Sequence, residues 1–74
     1  MTRLPVVSGQ AAVKAFAKLG YTLDRQSGSH MILRQGRAPH RRLTVPNHKT
    51  LAKGTLRALI RQAGLTVSEF TDLL

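Results

Sequence analysis

The stretch Gly20-Tyr-Thr-Leu-Asp-Arg-Gln-Ser-Gly-Ser-His-Met-Ile-Leu-Arg34 decides the fold. Tyr21, Leu23 and Arg25 alternate with Thr22, Asp24 and Gln26, the period of a strand with two unlike faces. A corner follows at Gly28, and Met31-Ile32-Leu33 is a short apolar run that ends at Arg34. An all-apolar triplet does not say which of Ile32 or Leu33 faces the core. His30 enters this second strand directly after the glycine corner. Downstream, Gln35-Gly-Arg-Ala-Pro-His40 carries strong turn residues, and Arg41-Arg-Leu-Thr-Val45 alternates again until Pro46 stops it. Three short strands in succession predict an antiparallel sheet.

Helical patterns flank the strands. Ser8 reads as an N-cap, because its hydroxyl can accept from an orphan amide of the first turn. Val13, Phe16, Ala17 and Gly20 follow at helical spacing, so a first helix is expected over about residues 9–19, ended by Gly20. Leu56, Leu59, Ile60 and Ala63 form the apolar stripe of a second helix, with Arg57 and Arg61 on another side. Gly64 breaks it. Thr66 and Glu69 make a capping box, with Leu65 and Phe70 placed as its hydrophobic staple, so a short terminal helix returns Phe70, Leu73 and Leu74 to the core. The order α-β-β-β-α plus a terminal turn predicts an α+β fold, with helices on one face of the sheet.

Composition bounds the rest. Seventy-four residues are expected to form one domain, 1–74, and so short a chain needs every apolar residue for its core. There are no cysteines, which excludes disulfides and thiolate metal sites and fits a reducing compartment. No run approaches the roughly 20 apolar residues of a membrane span. The opening Met1-Thr-Arg-Leu-Pro-Val-Val-Ser8 lacks the apolar core of a signal peptide, so a cytoplasmic protein is expected. Twelve Lys+Arg against three Asp+Glu give a net charge of +9, which attracts polyanions from a distance.

The segments Ser8-Gly9, Gly20-Tyr21, Arg25-Gln26-Ser27-Gly28-Ser29-His30, Thr44-Val45-Pro46-x-His48, Gly54-Thr55-Leu56-Arg57 and Arg61-Gln62-Ala63-Gly64-Leu65 together resemble the HicA toxins. The resemblance runs through nearly the whole chain in the right order. It implies a double-stranded-RNA-binding-domain-like α-β-β-β-α fold with a three-stranded antiparallel sheet. It also implies cleavage of mRNA through the histidine of the Gly-Ser-His motif, here His30, and neutralisation by a HicB-type antitoxin. Two positions depart from the family's habit. Met31 stands where a second histidine or an aromatic is common, and Lys53 where a proline often precedes Gly-Thr-Leu.

The chemistry of RNA cleavage suits these residues. A proton must leave the 2′-hydroxyl, charge on the phosphorane must be stabilised, and the departing 5′-oxygen must be protonated. Histidine titrates near neutrality and can take either proton role. Gly28 permits the tight corner, and Ser29 can orient the imidazole or touch phosphate. Lys49, Lys53 and Arg57 surround the start of the second helix, where Gly54 and Thr55 offer free amides, a pattern suited to phosphate. Arg25 and Arg34 flank His30 on two strands. His48 can be a second proton-transfer partner, a phosphate contact or a plain loop residue, and His40 lies in a turn. Three histidines with so few carboxylates do not make a Mg²⁺ or Ca²⁺ cage, so metal-independent cleavage with no cofactor is expected. Phe16, Tyr21 and Phe70 all fit core positions, leaving no platform for stacking bases.

Two other classes keep the charge and discard the chemistry. One is a non-catalytic RNA-binding module of the same fold. The other is an interaction protein whose basic face binds an acidic partner.

Overall fold

The computed structural model describes residues 3–74; Met1 and Thr2 of the opening segment lie outside the described residues. The helix α1 (Gly9–Ala17) starts as expected, with the Ser8 Oγ accepting from the Ala11 amide at 3.0 Å. It ends two residues short of the expected 19. Lys18, Leu19 and Gly20 each donate to a carbonyl only three residues back, the tighter winding that closes many helices. Gly20 then leaves at φ +89°, in the left-handed region that a glycine enters without steric cost.

The strands β1 (Tyr21–Ser27), β2 (His30–Gln35) and β3 (Arg42–Pro46) form one antiparallel sheet in the order β1-β2-β3, which makes β2 central. Its burial settles the question of the apolar triplet. Met31 and Leu33 are buried, while Ile32 lies on the other face and is half-exposed. Residues paired directly across strands share a face. Leu33 and Leu43 therefore point to the core together, as do Met31 and Val45.

The expected alternation of β1 fails at one place. Leu23 pairs with Leu33, but Arg25 pairs with Ile32, so the register shifts at Asp24. The extra residue is a β-bulge, which turns the rest of the strand over. Arg25 consequently leaves the face of Tyr21 and Leu23 and joins Ile32 on the open side of the sheet.

The helix α2 (Lys53–Gln62) ends with Gly64 at φ +76°. Gly64 donates to the Arg61 carbonyl and Leu65 to that of Ile60, the two bonds of a Schellman motif. The short helix α3 (Val67–Asp72) carries the expected capping box: Glu69 N donates to Thr66 Oγ1 at 3.1 Å, and Thr66 N to Glu69 Oε1 at 2.9 Å. Ala12, Ala15 and Phe16 of α1, Leu56, Leu59 and Ile60 of α2, and Phe70 of α3 share one buried cluster with the inward residues of the sheet. Phe16 is its hub, edge-on to Tyr21 at 5.8 Å and tilted against Phe70 at 5.2 Å. All three aromatics are thus committed to the core. The result is an α+β fold of the double-stranded-RNA-binding-domain kind, with the helices on one face of the sheet and the other face open. No helix among the described residues is long and apolar enough to cross a membrane.

Candidate active site

Gly28 and Ser29 form a two-residue connection between β1 and β2, closed by the pairing of Ser27 with His30. Such a connection needs positive φ at its first position, which Gly28 supplies at +57°. Gln26 braces the turn by donating its Nε2 to the Gly28 carbonyl at 3.2 Å. From the other side, the Asn47 amide donates to the Ser29 carbonyl at 2.6 Å. The turn is therefore tied both to its own strand and to the segment that follows β3.

His30 is the first residue of the central strand and is exposed. Its partners directly across are Ser27 on β1 and Pro46 on β3. Because Ile32 is on the open face, His30, two residues earlier, is on that face as well. The bulge brings Arg25 opposite Ile32, which makes it a diagonal neighbour of His30 at about 7–8 Å between Cα atoms. Thr44, on the far side of Ile32, is the matching diagonal neighbour on β3. The imidazole thus stands at one end of an exposed polar surface with a guanidinium within a side chain's reach.

Arg34 shares this face but lies four residues along β2, about 13 Å away at ~3.3 Å per residue. It pairs with Thr22 on one side and with Arg42 on the other. The remaining cations gather elsewhere. His48 and Lys49 line a cleft with Ser8, Gln10 and Asn47 at the start of α1. His48 is held there through its backbone, since its carbonyl accepts from the Gly9 amide at 2.9 Å. Lys53, Gly54 and Thr55 form the first turn of α2, whose N-cap Ala52 makes no side-chain cap bond. Arg57 lies one turn further on, in the groove between α2 and α3 with Arg61, Gly64 and Thr66. His40 is exposed in the loop before β3, its Nδ1 3.2 Å from the Gln35 carbonyl.

Arg42 was not among the residues singled out by sequence, although the signal was present. With Leu43 and Val45 turned inward, alternation sends Arg42 and Thr44 to the open face. Its neighbour Arg41 goes the other way and lies against Gly64, beyond the C-terminal end of α2. A cation there meets the negative end of the helix dipole. Arg41 also opposes the effect of burial on Tyr21, whose phenol is nonetheless raised above its ordinary range by desolvation. Among the described residues, no three His, Asp or Glu side chains gather closely enough to hold a metal ion.

A small α+β protein of this topology, with twelve Lys+Arg against three Asp+Glu and an exposed histidine at the mouth of a glycine turn, belongs to the class of compact, strongly cationic domains. Comparison places it more narrowly. The family model for the HicA toxin of bacterial toxin–antitoxin systems matches residues 9–65, most of the chain, and the chain belongs to that family. It is accordingly a toxin that acts opposite an antitoxin partner. Comparison with curated proteins gives no match.

Proposed function

We propose that this toxin is an endoribonuclease that cleaves mRNA without a metal ion, with His30 as general acid or base. The observation that carries this reading is the place of His30, exposed on the open face of the central strand beside Gly28-Ser29, with Arg25 diagonal to it. In the reaction, a base takes the 2′-hydroxyl proton and the 2′-oxygen bonds to phosphorus. The bond from phosphorus to the 5′-oxygen breaks, and that oxygen receives a proton. His30 performs one of the two transfers. Arg25 faces the negative charge that builds on the phosphorane, where a fixed cation stabilises the transition state more than the ground state.

Gly28 and Ser29 support the site by setting the turn, and Lys49, Lys53, Gly54, Thr55 and Arg57 hold RNA phosphates outside it. His48 is a secondary candidate that the fold anchors through its backbone. The whole of 1–74 acts as one domain, in the cytoplasm where its substrate is, and a HicB-type antitoxin covers its basic surface with carboxylates.

The test is cleavage of a defined RNA in EDTA by wild type and by His30→Ala, with both shown to be folded by circular dichroism. The wild type is expected to cleave and the variant to be slower by about 10²–10⁴-fold, the usual contribution of positioned proton transfer. Equal cleavage by the two proteins would remove His30 from the mechanism. Inactivation by EDTA with rescue by a divalent ion would remove metal independence. Binding without cleavage by either would assign a non-catalytic RNA-binding module.

A further inference from the structure

The row Thr22–Arg34–Arg42 crosses all three strands at the end of the sheet away from His30. Arg34 and Arg42 are paired directly, so their Cα atoms are only about 4.5–5.5 Å apart. Both side chains are exposed on the open face. Like charges placed directly opposite each other destabilise a sheet. The sheet carries a single carboxylate, Asp24, and that residue sits in the bulge of β1. Of the other two acids, Glu69 is engaged in the capping box and Asp72 ends α3. The fold therefore concentrates positive charge on this row without a matching acid on either strand of the pair.

We infer that Arg34 and Arg42 together form a second phosphate subsite, about 13 Å along β2 from His30, that grips the RNA chain at a distance from the scissile bond. This rests on the reading of the protein as a ribonuclease and extends it to the path of the substrate. The strand runs along the open face of the central β-strand, past Ile32 and Thr44, so that its register on β2 fixes which phosphate reaches His30. Arg is suited to this because its planar fork can take two phosphate oxygens at once. Thr22 stands beside the pair, with its hydroxyl donating to the Arg34 carbonyl at 3.4 Å, which leaves both guanidinium groups uncommitted to it.

The test uses the full chain carrying His30→Ala, so that binding is read without cleavage. Equilibrium affinity for a long unstructured RNA is measured across a salt series, alone and with Arg34→Thr/Arg42→Thr or Lys14→Gln added. Lys14 lies on α1, away from the open face. Threonine is a good strand former, and removal of the repulsion should leave the melting temperature equal or higher. The double substitution is expected to flatten the slope of log K against log salt by about 0.7, the value for one phosphate on a single strand. Lys14→Gln is expected to leave the slope unchanged.

An unchanged slope in the double variant, with salt-dependent binding intact, overturns the subsite and leaves the ribonuclease reading standing. A loss in Lys14→Gln that matches the double variant's per charge removed overturns it too, because the effect is then one of overall charge. Absence of RNA binding in every variant overturns the ribonuclease reading itself.

Discussion

Gly9 shows how one residue can hold the site in place from behind. It opens α1 and is buried against the end of β3. A Cβ built on it would land on the Pro46 carbonyl oxygen and lie 3.1 Å from Pro46 C and 3.2 Å from the Asn47 Cα. The obstacle is backbone, which cannot swing aside as a long side chain would. Gly9→Ala is therefore expected to lower stability by about 1–3 kcal/mol despite the better helix propensity of alanine. Urea denaturation measures this, and an unaltered midpoint would show that the helix simply shifts. Ser8 could be read as a cap because capping is local. The closeness of Gly9 to Pro46 could not, because residues so far apart in sequence meet only after the sheet has formed.

The elements divide the same way. The ends of α2 and α3 were legible: Gly64 and the Thr66/Glu69 pair act within a few residues, and the structure has the expected bonds at each. Thr66→Ala is expected to cost about 1 kcal/mol by leaving the Glu69 amide without its partner. Thermal unfolding checks it, and Thr66→Ser should recover most of the loss. The bulge at Asp24 was not legible. Strict alternation in β1 predicted Arg25 on the face of Leu23, and only the pairing with β2 reveals the extra residue. That hidden register decides the candidate site, since without it the guanidinium would point away from the face of His30. The choice between Ile32 and Leu33 was likewise a matter of pairing and not of composition.

For the molecule as a whole, the sequence conveyed the α+β plan and the excess of positive charge, because both follow from counts and periodicities. It did not convey how that charge divides. Arg25, Arg34 and Arg42 share the open face, Arg41 is folded against α2, and Lys49, Lys53 and Arg57 belong to the loops and helices.

Tyr21 adds a pH dependence to the stability of the fold. Burial raises its phenol above the ordinary value of 10.0, so the unfolded chain gives up the proton first. Its contribution to stability is complete below about pH 10 and is lost as pH climbs toward the folded-state value. The hydroxyl has no hydrogen-bond partner among the described residues. Tyr21→Phe is thus expected to be within about 1 kcal/mol of wild type at neutral pH, because no bond is broken. It should then lose less stability than wild type when both are melted at alkaline pH. Parallel losses in the two proteins would assign the alkaline transition to other groups.

The bond from Asn47 to the Ser29 carbonyl has a consequence for timing. The turn that presents His30 is secured by the protein's own backbone, so its shape does not wait on the arrival of substrate. On the proposed reading of His30, an inhibitor works by covering a turn that is already formed. On that reading, removal of the cover exposes a turn already in its working shape.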